Sequence, residues 1–130
     1  MNSKIRDYKE MHVYQNALAS AMDIFQITKT FPSEEKYSLV DQIRRSSRSV
    51  CANLAEAWRK RRYKASFVAK LIDAEGEANE TQVWIDIACR CGYMNGSEAK
   101  QIDQKYNHII GQIILIKENS DKWTIPKDST

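Results

Sequence analysis

Apolar residues recur along the chain at alternating steps of three and four, the spacing that places them on one face of an α-helix. Four such stretches occur. The first carries Met11, Tyr14, Leu18, Ala21 and Phe25. The second carries Leu39, Ile43, Ser46, Val50, Asn53 and Ala57, flanked by Val40, Cys51, Leu54 and Trp58. The third carries Phe67, Leu71, Ala74, Ala78, Thr81, Ile85 and Ala88, and the fourth Ile102, Tyr106, Ile109, Ile113 and Ile116. They predict helices over about 8–30, 34–60, 64–91 and 97–118. Pro32 disfavours helical geometry at Phe31, and Ser33 is a candidate cap for the second helix, with Glu34 and Glu35 in its first turn. The second break, Arg59 to Tyr63, holds neither Gly nor Pro and is softer. Gly92 suits a left-handed C-cap, and Ser97 is a candidate cap for the last helix. Short connections make consecutive helices antiparallel neighbours. The expected fold is therefore all-α: an antiparallel up-down-up-down four-helix bundle over 8–118, after a polar lead (1–7) and before a flexible C-terminal tail (119–130).

Composition narrows the class further. At 130 residues the chain is sized for one domain. Four glycines and two prolines are too few for the turns of an all-β or α/β domain. No run approaches the roughly 18 apolar residues of a membrane span, and Met1 to Glu10 is too polar for a secretory signal. Cys51, Cys89 and Cys91 are too few and too unevenly placed for a disulfide framework, which predicts a reduced, cytoplasmic protein. Ala74, Gly76 and Ala78 make the middle of the third helix narrow; Gly76 is either a tolerated weakness or a point of close helix contact.

Charge is unevenly spread. The formal net charge of +3 conceals 9 basic and 1 acidic residues in 44–70, against 6 basic and 10 acidic in 71–130. Arg44, Arg48 and Arg59 fall within about 60° on the second helix, opposite its apolar stripe, with Arg45 beside them. Lys60, Arg61, Arg62 and Lys64 crowd the connection that follows. Such a cluster suits phosphates, since guanidinium forks match phosphate oxygens and lysines add point charge. It equally suits a solvated basic end with local ion pairs. On the third helix Asp73, Glu77 and Glu80 make an acidic stripe that Trp84 and Ile87 continue outside the apolar seam. An aromatic and an aliphatic residue there point to contact with a sister subunit, or to Trp84 covering the core margin.

Catalytic and metal-binding patterns are sparse. His12 and His108 stand on the first and fourth helices without a shared end, and neither belongs to a Glu-x-x-His pair. Cys89-x-Cys91 is too short for a zinc knuckle. No Gly-rich phosphate loop or nucleophile elbow is present. The expectation is a non-enzymatic protein without cofactor or metal. Asn53, polar on an apolar face, reads as a device that fixes helix register, or as a ligand contact.

One stretch has a family likeness. Phe31-Pro32-x-Glu34-Glu35-x-Tyr37-x-Leu39-x-x-Gln42-Ile43-Arg44-Arg45 resembles the signature of the small four-helix-bundle proteins encoded in intervening sequences of bacterial 23S ribosomal RNA genes. Ser49-Val50-Cys51-Ala52-Asn53-Leu54-Ala55-Glu56 resembles that family's next block, as do Phe67, Ala74, Gly76, Glu80 and the pair Gly92-Tyr93. Cys51 stands where the family usually has Pro, Ala57 where it has Gly, and Ser47-Arg48 where it has small apolar residues. The resemblance implies a bundle that assembles into a ring, often a pentamer, with a link to RNA. Related bundles are accessory partners of reverse transcriptases, so a protein-docking scaffold is the alternative to an RNA-associated oligomer. The resemblance brings no catalytic residues.

Overall fold

The computed structural model describes residues 5–125. Among them are four long helices and no strand: α1 (His12–Thr28), α2 (Leu39–Arg59), α3 (Lys64–Arg90) and α4 (Gly96–Glu118). A four-residue helix, α5 (Ser120–Trp123), follows, and single 3-10 turns lie at Tyr8–Glu10 and Ser33–Glu35.

α3 and α4 bury the residues that periodicity selects. Phe67, Leu71, Ala74, Ala78, Thr81, Ile85 and Ala88 face inward from α3; Ile102, Tyr106, Ile109, Ile113 and Ile116 do so from α4, joined by Ala99. α1 differs. Its buried face is Val13, Ala17, Ser20, Ala21, Ile24 and Thr28, while Leu18 lies 43 % exposed and Tyr14 and Phe25 are half-buried. The face is turned by about one residue, roughly 100°, from the expected one. α1 has apolar residues on two sides, and the side of Val13, Ala17 and Ile24, rather than that of Leu18 and Met22, is the buried one.

Helix ends also shift. α2 begins at Leu39, not near 34, because the chain first makes the 3-10 turn and then breaks at Ser38 (φ −124°, ψ −97°). Glu35, not Ser33, does the capping: its Oε1 accepts the Ser38 hydroxyl at 2.5 Å and the Leu39 N–H at 3.4 Å. At α4 the cap is Asn95 rather than Ser97. Asn95 Oδ1 accepts the Glu98 N–H at 2.8 Å, and Glu98 Oε1 accepts the Asn95 N–H at 3.4 Å, a reciprocal capping box. Gly92 ends α3 as expected, at φ +82°, with the Gly92 and Tyr93 N–H groups donating to Cys89 and Ala88 carbonyls at 3.0 Å each. At Gly76 an added Cβ would meet nothing within 4 Å, so no neighbouring helix of the chain approaches closely there.

Cross-helix pairs order the helices. Arg45 and Ser46 of α2 meet Glu80 and Thr81 of α3, whereas Glu56 meets Lys70. Glu75 of α3 meets Lys117 of α4, whereas Gln82 meets Asn107. Asn16 of α1 bonds Gln112 of α4, whereas Asp23 meets Lys105. In each case position rises on one helix as it falls on the other. The expected tail begins as α5, with Ser120 buried and Trp123 partly buried against the core. Residues 1–4 of the expected lead and 126–130 of the expected tail lie outside the described residues.

Candidate nucleic-acid interface

The eight basic residues singled out from sequence divide by what they touch. Arg44 is half-buried rather than opposite the core. Its Nε donates to Thr28 Oγ1 at 2.8 Å, and an Nη donates to the Phe25 carbonyl at 3.3 Å. Its guanidinium also sits 4.8 Å from the Phe25 ring centroid. A cation there satisfies carbonyls and the negative dipole end at the close of α1. Arg61 is likewise spoken for: its guanidinium carbon lies 3.4 Å from the Trp58 ring centroid, and Nε donates to the Trp58 carbonyl at 2.9 Å. Arg45 pairs with Glu80 at 3.7 Å and donates to Gln42 Oε1 at 2.9 Å. Lys64 pairs with Asp121 at 2.5 Å.

Arg48, Arg59, Lys60 and Arg62 are exposed and have no acidic partner among the described residues. Arg48 and Arg59 are eleven positions apart, about 20° around the helix and roughly 16 Å along it. Between them on that face lie only the small Ala52 and Ala55. Lys60 and Arg62 follow in the turn between α2 and α3. Lys70, which sequence analysis did not single out, stands next to these cations but is tied to Glu56 at 2.7 Å. That bond and its charge hold the Glu56 carboxyl below the usual carboxylate range.

The acidic stripe of α3 borders this cluster. Asp73 and Ile87 are exposed; Glu77, Glu80 and Trp84 are half-buried. The Glu77 carboxylate beside Glu80, through hydrogen bonding and then charge, together with burial, raises the pKa of Glu80 against the pull of Arg45. Trp84 packs against the core, and its Nε1 has no hydrogen-bond partner among the described residues. Ile72, Val83 and Ile87 are exposed along the outer side of α3. Asn53 does not bridge helices: its amide donates to the Ser49 carbonyl and hydroxyl of its own helix, at 2.9 and 3.1 Å. A buried polar link between α2 and α3 is made instead by Ser46 with Thr81, both fully buried, their hydroxyls 2.8 Å apart.

Two blocks of the family-like signature meet in space. The Tyr93 hydroxyl donates to Glu35 Oε2 at 2.8 Å, and the Tyr93 ring lies 5.4 Å from that of Phe31. Hydrogen bonds from Ser38 and then Tyr93 hold Glu35 below the usual carboxylate range, and the bond to Glu35, with burial, pushes Tyr93 up to about 12. Phe31, Glu35, Leu39 and Arg44 therefore build the α1–α2 corner. Tyr37 stands out of it, 86 % exposed. Sequence analysis missed the Glu35–Tyr93 and Lys64–Asp121 pairs, which join residues far apart in the chain; Trp123, a large apolar residue in a polar tail, was the available signal for the second. Burial pushes the Cys51 thiol up to about 11, away from thiolate chemistry. Among the described residues, no cluster of three or more His, Cys, Asp or Glu is arranged to hold a metal ion, and no helix is long and apolar enough to cross a membrane.

Nothing among curated proteins matches the chain. A crystal structure of a protein of unknown function from the S23 ribosomal protein family, from Bacteroides thetaiotaomicron VPI-5482, is 31% identical to it. The similarity covers 82% of this chain and 95% of that one, with a TM-score of 0.74. The family model described as 23S rRNA-intervening sequence protein matches residues 9–114. With that match spanning most of its length, the chain belongs to the 23S rRNA-intervening sequence protein family.

Proposed function

We propose that this protein is a non-enzymatic, cytoplasmic, antiparallel four-helix bundle that self-associates and binds the phosphate backbone of RNA through Arg48, Arg59, Lys60 and Arg62. One observation carries the reading: of eight clustered cations, these four are exposed and have no acidic or stacking partner within bonding distance among the described residues. Desolvating a paired cation sacrifices its existing bonds; an unpaired one meets a phosphate without that loss. Arg44 and Arg61 leave the proposed surface because they hold α1 and Trp58. Arg45 and Lys64 stand at its edges. The family's tie to intervening sequences of ribosomal RNA genes makes structured RNA the polyanion to try first.

The test is the affinity of a labelled RNA stem-loop at low salt. Arg48→Glu with Arg59→Glu is expected to weaken binding by at least about tenfold, since each lost phosphate contact is replaced by repulsion. Unchanged affinity would sink the proposal. Self-association, as a pentameric ring, is read onto the outer side of α3, where Ile72, Val83 and Ile87 are exposed beside Asp73, Glu77, Glu80 and Trp84. Sedimentation at micromolar concentration should show the oligomer, and Ile87→Asp should dissociate it; a monomer throughout rejects that part. The same ridge supports the second reading, a scaffold that docks a protein such as a reverse transcriptase. In that case the α3 variant removes partner capture and leaves RNA affinity intact.

A further inference from the structure

The C-terminal segment lies on the edge of the basic turn. Asp121 pairs with Lys64 at 2.5 Å, and the Ile125 N–H donates to the Arg61 carbonyl at 2.9 Å. Between these two attachments the segment is braced on itself: the Thr124 N–H and hydroxyl both donate to the Ser120 carbonyl, at 3.0 Å each. Trp123 anchors it at the end of the bundle. Trp123 is only partly buried, at the rim of an open, mainly apolar pocket of about 230 Å³ that it lines with Ile5, Met11, Leu115 and Ile116 beside His12 and Gln112. The ion pair is solvent-facing at both ends, with Lys64 54 % and Asp121 84 % exposed, so a phosphate competes with it readily.

We infer that Ser120–Ile125 is an autoinhibitory strap: it neutralises Lys64 and ties down the Arg59–Lys64 turn, and RNA binding displaces it. The inference rests on the RNA reading above and adds its regulation. Strap closure and RNA binding are then mutually antagonistic, so each weakens the other by the same factor. With the strap in place the turn offers Arg59, Lys60 and Arg62; with it released, Lys64 joins them as a further phosphate contact.

The experiment compares Asp121→Asn with Asp86→Asn, using a fluorescein-labelled RNA stem-loop. Asp86 pairs with Arg90 near the opposite end of α3, so this control makes the same change in net charge away from the turn. Asp121→Asn is expected to tighten binding about threefold and to steepen the log-log salt slope by about 0.7–0.9, one phosphate contact. Asp86→Asn is expected to leave both near the parent values. Hydrogen exchange at the Thr124 and Ile125 amides is expected to speed up when RNA is bound. The strap alone fails if Arg48→Glu with Arg59→Glu abolishes binding while Asp121→Asn behaves as Asp86→Asn does, or if RNA leaves those two amides as protected as before. RNA that does not bind the parent chain overturns both the strap and the reading beneath it.

Discussion

Glu35 shows how one side chain serves several partners. It accepts the Ser38 hydroxyl, the Leu39 N–H and the Tyr93 hydroxyl, so its ionised form is favoured in the folded chain. A depressed folded pKa adds stability above the ordinary glutamate value of 4.5, and that stability is lost as pH falls through the folded value. Tyr93 has the opposite sign. Its pKa, raised from 10.0 to about 12, adds stability that is present below pH 10 and lost as pH rises toward 12. Tyr93→Phe is therefore expected to move Glu35 up toward its ordinary value and to flatten both limbs of the stability–pH profile. A carboxyl-carbon NMR titration together with urea unfolding would read this; an unmoved Glu35 contradicts it. Tyr106 makes a different point. It is fully buried, yet its hydroxyl has no partner among the described residues. An unsatisfied buried hydroxyl costs about 1–3 kcal/mol, so Tyr106→Phe should raise unfolding stability by about 1 kcal/mol. A loss of stability would mean that the hydroxyl is bonded after all. Neither feature is legible in sequence, because spacing selects Tyr106 as core without showing what its hydroxyl meets, and Glu35 and Tyr93 are 58 positions apart.

At the scale of helices, much was legible and the failures have causes. The inward faces of α3 and α4 follow from three-and-four spacing that runs unbroken along each helix, although Ile72, Val83 and Ile87 on α3 and Ile114 and Leu115 on α4 lie exposed. α1 has Leu18 and Met22 on one side and Val13 and Ile24 on the other, so spacing alone selected Tyr14, Leu18 and Phe25, which are not fully buried, along with Met11 and Ala21, which are. Capping was misplaced for a related reason: Ser33 and Ser97 fit the general preference, but Glu35 and Asn95 fit the backbone actually formed. A register-fixing polar contact was expected at Asn53, whereas the buried hydroxyl contact between α2 and α3 is made by Ser46 and Thr81, since short hydroxyls are easily read as neutral members of an apolar stripe. Each of those hydroxyls is buried. Thr81→Val alone should cost about 1 kcal/mol, since Ser46 loses its Thr81 partner and keeps only the 3.3 Å bond to the Ile43 carbonyl, whereas Ser46→Ala with Thr81→Val should cost clearly less than the two single changes combined. A double-mutant cycle by chemical denaturation checks this; strict additivity would deny the coupling.

At the scale of the molecule, sequence located the charge asymmetry but not its availability. Eight clustered cations looked equivalent in one dimension. Folding ties Arg44 to α1, Arg61 to Trp58, Arg45 to Glu80 and Lys64 to Asp121, and leaves Arg48, Arg59, Lys60 and Arg62 exposed without an acidic or stacking partner among the described residues. Apart from Trp58, three residues before Arg61, that selection depends on partners from α1, α3 and α5, which lie outside 44–64. It also makes the central claim quantitative. Four phosphate contacts release a corresponding number of counterions, at about 0.7 per contact on single strands and 0.9 on duplex. The most direct measurement is the affinity for an RNA stem-loop across a series of salt concentrations. The account predicts a log-log slope of about −3 to −4, reduced by roughly 1.5–2 in Arg48→Glu with Arg59→Glu and unchanged in Asp86→Asn. A flat salt dependence, or a slope that survives the loss of Arg48 and Arg59, would contradict it.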